Sequence, residues 1–244
     1  MKPTHPTPSS RPRYSLFGRL LDLLSPRFCC ICGQRLSPAE QELCIGCNIA
    51  LPRTGYAASA EDNPLSRRFW GHVKVERCAA LFFYQVRATA KQMVFRFKYK
   101  DHPEAAEQFG VMMAREFAEH AFFADIDCIV PVPLAKDRQR ARGYNQSEEL
   151  ARGLSAVTGL PVAARVAQRT AFYGSQTHLN RLDRFSNVAG LFTIRQPQRI
   201  AGKHVLVVDD VITTGATTIA LAQTLLRAGA ARVSIAALAC TKHP

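Results

Sequence analysis

From residue 77 onward, short unbroken apolar runs alternate with longer stretches in which apolar residues recur every three or four positions. The runs Ala79 to Tyr84, Cys128 to Val132, Val205 to Val208 and Val233 to Leu238 have the length and continuity of buried strands. Between them the helical period predicts helices at Thr89 to Phe97, Ala105 to Phe122, Gln146 to Thr158 and Thr217 to Ala228. Such alternation predicts βαβ units and an α/β fold with a mainly parallel central sheet. Residues 168–200 fit neither period, because Gly174, Ser175, Ser186 and Asn187 interrupt them, and read as a long loop or a cover over a site. Near the N-terminus, Leu16, Leu20, Leu23 and Leu24 recur at helical spacing until Pro26. They predict a short amphipathic helix that docks on the body of the protein or lies on a membrane surface. The chain thus divides into a basic tail with a short amphipathic helix (1–27), a cysteine-rich knuckle with a linker (28–75) and an α/β domain (76–244).

Composition narrows the class of partner. With 32 Lys+Arg against 19 Asp+Glu, the chain carries a net charge of +13, which favours nucleic acid, phosphorylated metabolites or an acidic membrane, or serves only solubility. No apolar run approaches the roughly 20 residues of a membrane span. Arg19 and Asp22 break the N-terminal apolar stretch and no small-residue cleavage site follows, so a signal peptide is not expected. The expectation is a soluble, cytoplasmic protein.

Five of the eight cysteines fall between Cys29 and Cys47, a clustering that suggests metal and not a disulfide framework. Cys29-Cys30-Ile31-Cys32 and Cys44-Ile45-Gly46-Cys47 form two Cys-x-x-Cys pairs. Two such turns supply four thiolates to a tetrahedral zinc, so Cys29, Cys32, Cys44 and Cys47 are the candidate ligands of a structural Zn2+ knuckle. Cys30, one residue removed from Cys32, is the poorer chelator. A redox dithiol competes, and the presence of two pairs disfavours it.

The strand Val205 to Val208 leads into Asp209-Asp210, then Thr213-Thr214-Gly215-Ala216-Thr217, then a helix. A strand, a turn rich in hydroxyls and glycine, and a helix start together make an anion cradle: free amides point into the turn, the hydroxyls add donors, and glycine admits the phosphate. Two carboxylates would repel a phosphate, so they must face something else, such as ribose hydroxyls. A sugar phosphate satisfies both halves. A metal-bearing or structural Asp pair beside an ordinary capping turn is the bland alternative.

A second constellation follows Val130-Pro131-Val132-Pro133: Lys136, Arg138, Arg140 and Arg142 gather before Gly143, Tyr144, Asn145 and Gln146. Arginine offers paired planar donors to phosphate oxygens, so this loop suits a pyrophosphate. A solvated charged loop is the bland alternative, and a nucleic-acid patch, with Tyr144 stacking on a base, is another.

The stretch Asp209 to Thr217 resembles the phosphoribosyl pyrophosphate (PRPP) motif of type I phosphoribosyltransferases. The order of paired Cys-x-x-Cys, Lys98, Pro131 to Pro133, Arg142 to Gln146, Gln176, Arg184 to Asn187 and Asp209 to Thr217 is similar to the ComF/GntX family, the competence-associated branch of that fold. The resemblance covers about residues 16–240. It implies a type I phosphoribosyltransferase fold with an N-terminal four-cysteine zinc knuckle. It also implies that Asp209 and Asp210 contact the ribose 2′- and 3′-hydroxyls, that Thr213, Thr214, Gly215, Ala216 and Thr217 hold the 5′-phosphate, and that Mg2+ travels with PRPP. Lys98, Arg138 and Arg142 are candidates for pyrophosphate, and Tyr144, Asn145, Gln146, Gln176, Arg184 and Asn187 are candidate loop residues. Where the family often has a glycine soon after the lysine, this chain reads Lys98-Tyr99-Lys100-Asp101.

Two classes of function fit. One is a phosphoribosyltransferase with unidentified acceptor, acting in DNA uptake and natural transformation. The other is a non-catalytic module that senses PRPP or a nucleotide and binds single-stranded DNA or a competence or DNA-processing protein.

Overall fold

A computed structural model describes residues 26–29, 31–40, 43–84, 103–135, 140, 143–170 and 190–242. The chain forms two units, Met1–Leu51 and Pro52–Pro244. The expected helices at 16–24 and 89–97 lie outside the described residues.

The larger unit is built on a four-stranded parallel sheet of β1 (Cys78–Phe83), β2 (Cys128–Pro131), β5 (His204–Ile212) and β6 (Arg232–Cys240), in the order β1-β6-β5-β2. The central strands are buried along nearly their whole length, which explains their unbroken apolar runs. The helices are α2 (Pro103–Ala118), α3 (Gln146–Thr158) and α4 (Ala216–Arg227). Ile219, Leu221 and Leu225 of α4 share one buried cluster with Val205, Val207, Ile235 and Ala237 of the sheet. Helices α2 and α3 pack on each other, and α3 packs on β5.

The α2–α3 crossing is set by two glycines. A Cβ added at Gly153 would lie 1.9 Å from the Glu107 carbonyl oxygen, and one added at Gly110 would lie 2.2 Å from that of Leu150. The two backbones therefore touch, and no larger residue fits. At the other end of the sequence signal, α3 begins where Asn145 accepts from the Ser147 amide at 3.2 Å and stops at Gly159, whose φ is 74°.

Three elements differ from the pattern-based expectation. Helix α2 ends at Ala118, not Phe122; beyond it the chain turns at Ala121 (φ 52°) so that the rings of Phe117 and Phe122 meet with centroids 5.2 Å apart. Strand β5 continues through Asp209 and Asp210 to Ile212, because its backbone keeps pairing with β6 as far as Ile212 opposite Cys240. Backbone pairing is indifferent to the charge of those side chains. The ends of the 168–200 segment are also regular: β3 (Ala167–Arg169) and β4 (Phe192–Ile194) pair antiparallel, with Arg169 opposite Phe192.

Residues 52–75 group with the sheet and not with the knuckle. The Phe83 amide donates to Pro52 and the Thr54 amide to Leu81, so the segment runs along the edge strand β1. Leu65 and Phe69 are fully buried in the core. Asn63 knits the turn: its Nδ2 donates to the carbonyls of Ser59 (2.9 Å) and Cys78 (2.8 Å), while its Oδ1 accepts from the amides of Leu65 and Ser66.

In the smaller unit, Phe28 and Arg35 form an antiparallel bridge around a turn at Gly33 (φ 75°), and α1 (Ile45–Ala50) follows. Cys44 caps α1 through its sulfur, and Glu40 adds to it by accepting from the amides of Ile45 and Ser37, each at 2.7 Å. Those amides hold its carboxyl below the ordinary carboxylate range. Among the described residues, no helix is long and apolar enough to cross a membrane.

Candidate functional site

The carboxyl end of β5 carries the acidic pair, and ligands of open α/β sheets bind at the carboxyl ends of strands. Successive side chains of a strand face opposite ways, so Asp209 and Asp210 are not equivalent. Asp209 is 8% exposed. Its Oδ1 accepts from the Ser147 hydroxyl at 3.4 Å and from the Asp210 amide at 2.9 Å, and its Oδ2 accepts from the Thr218 hydroxyl at 3.2 Å. Ser147 lies in the first turn of α3 and Thr218 in the first turn of α4, so the carboxylate ties both helix starts to the strand. Asp210 is more open, and its Oδ1 accepts from the Val211 amide at 2.6 Å.

Thr213 and Thr214 are exposed, and Gly215 adopts φ 83° at the start of α4. That left-handed backbone is strained for any other residue, which explains glycine there. Thr214 Oγ1 accepts from the Ala216 amide at 3.4 Å, and the Gly215 carbonyl accepts from Ile219 at 2.8 Å. Among the described residues, the amides of Thr214, Gly215 and Thr217 donate to no protein acceptor. Oriented free amides at a helix start form an anion site.

Sequence reasoning missed the residues that support this turn. Arg68 donates from Nη1 to the Thr213 carbonyl and to Thr241 Oγ1 (3.1 Å), and from Nη2 to the Thr241 carbonyl. The Phe69 ring packs beside Gly215, in ordinary van der Waals contact at 3.6 Å with the position of an added Cβ. Both belong to an aperiodic segment with no motif of its own. Ser147 and Thr218 sit inside recognised elements, and only the fold shows that they converge on Asp209.

Of the second constellation, Asn145 and Gln146 are buried, and Tyr144 lies just before them. Asn145 Nδ2 donates to the Val132 carbonyl at 3.1 Å, and the Val132 amide donates to Val208 at 2.8 Å. Asn145 therefore fastens the Pro131 to Pro133 exit to the start of α3, while Val132 itself is bonded to the middle of β5. Lys98, Arg138, Arg142, Gln176, Arg184 and Asn187 lie outside the described residues.

The four candidate zinc ligands do converge. The sulfurs of Cys29, Cys32, Cys44 and Cys47 all lie within 4.8 Å of one another, with Cys32 and Cys44 at 3.7 Å. Zn–S bonds of about 2.3 Å in a tetrahedron place sulfurs about 3.8 Å apart, so the cluster fits zinc. Burial disfavours the Cys29 thiolate, but the amides of Cys32, Cys44 and Ile31 outweigh it and bring its pKa down to about 7. Burial and the neighbouring sulfurs of Cys44, Cys32 and Cys29 push the Cys47 thiol up. Four sulfurs that cannot all ionise unaided, held this close, are the environment a divalent ion stabilises. All four positions being protein, such a metal is structural.

A parallel sheet whose central strand carries a carboxylate pair in its C-terminal half, followed by an amide- and hydroxyl-lined turn at a helix start, defines a phosphoribosyltransferase-type domain. The family model described as "Phosphoribosyl transferase domain" matches residues 104–244. The chain is similar to DNA utilization protein YhgH of Salmonella typhimurium, 28% identical over 223 residues, 87% of this chain and 96% of that protein. It is also similar to Competence protein ComFC of Bacillus subtilis (24%, 87% of this chain, 84% of that protein) and to Competence protein F of Haemophilus influenzae (32%, 46% of this chain, 50% of that protein). With a four-cysteine knuckle ahead of the domain, this chain belongs to the ComF family of phosphoribosyltransferase-like proteins.

Proposed function

We propose that the protein binds PRPP with Mg2+ at Asp209 to Thr217 and acts as a phosphoribosyltransferase in the handling of DNA during uptake. The observation that carries the reading is the pairing of free amides at Thr214, Gly215 and Thr217 with the carboxylates of Asp209 and Asp210 on the strand that leads into the turn. The amides suit the 5′-phosphate and the carboxylates suit ribose hydroxyls. In this reading Asp210, the more open of the pair, takes the ribose directly, and Asp209 both contacts it and holds the starts of α3 and α4 in place. Mg2+, bound mainly through the pyrophosphate and the ribose beside Asp209 and Asp210, would supply charge neutralisation to the leaving group. In this reading Lys98, Arg138 and Arg142 bind the leaving pyrophosphate, with Tyr144, Gln176, Arg184 and Asn187 as further candidate ligand residues. An acceptor nucleophile attacks C1 of the ribose while the bond to pyrophosphate breaks. Catalysis on this scheme comes from positioning and leaving-group stabilisation.

The names of the relatives, a DNA utilization protein and two competence proteins, support the DNA role. The net charge of +13 supports a polyanionic partner such as single-stranded DNA. The zinc knuckle is a structural module in this scheme, and the protein works in the cytoplasm. The test is release of pyrophosphate from PRPP, measured with free bases and with single-stranded DNA as acceptor. Turnover with either supports the transferase reading. Salt-sensitive DNA binding without turnover replaces it with a PRPP-sensing, DNA-binding module.

A further inference from the structure

We propose that Arg68 is a positioning residue that locks the backbone of the phosphate turn in its anion-binding orientation. The inference rests on the reading of Asp209 to Thr217 as a ribose-phosphate cradle, and it concerns how that cradle is kept open. A trans peptide holds its C=O and N–H in opposite directions, so whatever fixes the carbonyl of one residue fixes the amide of the next. The Thr213 carbonyl is held by the Arg68 guanidinium and by Thr241 Oγ1 at 3.4 Å. The Thr214 amide is thereby turned the other way, and it has no protein acceptor among the described residues. A flip of this peptide would present a carbonyl to the phosphate in place of an N–H.

Arg68 resists that flip because it is itself anchored. Its two terminal nitrogens share Thr241, one taking the hydroxyl at 3.1 Å and the other the carbonyl. Thr241 in turn donates its amide to Ile212 at 3.1 Å, extending the β5–β6 pairing to the base of the turn. The guanidinium stem leaves the chain at the residue before Phe69, which is fully buried against Gly215. Arginine is suited to this task, since its rigid planar fork aims separate nitrogens at the Thr213 and Thr241 carbonyls, where lysine offers a single compact ammonium. Its positive charge also favours a dianion in the turn.

The test compares wild type, Arg68→Ala, Arg68→Lys and Thr241→Val. Ribose 5-phosphate and inorganic pyrophosphate are titrated separately, with Mg2+, by calorimetry, and amide hydrogen exchange is followed in the free protein. Arg68→Ala is expected to weaken ribose 5-phosphate about tenfold to a hundredfold, the effect of losing a charge-assisted hydrogen bond, while pyrophosphate binding is unchanged. Arg68→Lys restores part of the loss. Exchange at the hydrogen-bonded amides that flank the turn, Ile219 to the Gly215 carbonyl and residue 241 to the Ile212 carbonyl, rises in Arg68→Ala and rises less in Thr241→Val, a readout that needs no ligand. If Arg68→Ala does not fold, Arg68→Lys and Thr241→Val carry the same comparison. Equal ribose 5-phosphate affinity and equal exchange in folded variants and wild type overturn the proposal alone. Failure of the wild type to bind either ribose 5-phosphate or PRPP overturns the cradle reading as well.

Discussion

Replacement of Gly153 by alanine sets two effects of opposite sign against each other. On helix propensity alone the change stabilises α3 by about 1 kcal/mol. The crossing with α2 opposes it, because the new Cβ would stand 1.9 Å from the Glu107 oxygen, 2.7 Å from the Val111 nitrogen and 2.8 Å from the Gly110 Cα. A carbon–oxygen contact needs about 3.3 Å, so the helices must part by about 1.4 Å. The obstacles are backbone atoms, which have no rotamer to change. A gap of that size forfeits about half or more of the dispersion energy along the seam. The seam involves the faces of α2 and α3 that bury Phe109, Met113, Leu150 and Leu154. Overpacking of this kind costs about 3 kcal/mol at the upper end of its usual range. The net expectation is a loss of about 2 kcal/mol, a Tm lower by about 4–8 °C for a unit of this size. Thermal and urea unfolding of Gly153→Ala against wild type check it. Because Ser147 at the start of α3 touches Asp209, PRPP affinity should fall together with stability. An unchanged or raised Tm would refute the argument, showing that propensity wins and that the crossing is looser than described.

Other consequences are open to simpler assays. Ser147→Ala and Thr218→Val each remove a hydroxyl from the buried Asp209 carboxylate and should each lower stability by about 1–2 kcal/mol in chemical denaturation, with weaker PRPP binding. Burial, with Arg232 and Arg77 nearby, lowers the pKa of His204, whose ring meets Ser234 Oγ at 2.9 Å. The unfolded chain therefore takes up the proton first, so this contribution is whole above pH 6.5 and shrinks as the pH falls through that value toward the folded pKa. Urea midpoints across this interval should slope in wild type and flatten in His204→Gln; parallel slopes would refute it. A strong chelator should release about one zinc per chain, and Cys44→Ser should abolish it, as read by metal analysis. Full zinc content in Cys44→Ser would exclude the four-cysteine site.

What can be read from sequence is whatever is signalled locally. Helix α3 is legible to the residue, because Asn145 caps it and Gly159 ends it, and each signal lies next to the boundary it sets. The four clustered cysteines are equally legible, since each Cys-x-x-Cys turn presents two neighbouring sulfurs whatever the fold around it. The β5 turn is recognisable, but its strand reads short: the pairing of Asp209 to Ile212 with β6 is a property of two strands, and Asp209 and Asp210 look polar when read alone. Residues 52–75 have no period because they are neither strand nor long helix. Leu65 and Phe69 are buried by a turn that Asn63 assembles from side-chain hydrogen bonds. Arg68 is invisible for the same reason, its partners Thr213 and Thr241 lying 145 and 173 residues along the chain.

The central claim is that Asp209 to Thr217 is a ribose-phosphate cradle, and calorimetric titration of PRPP with Mg2+ into wild type and into the Asp209→Ala, Asp210→Ala double variant tests it most directly. The account predicts saturable one-to-one binding by wild type and none by the double variant, with zinc content equal in the two. Wild-type affinity in a folded double variant would contradict it.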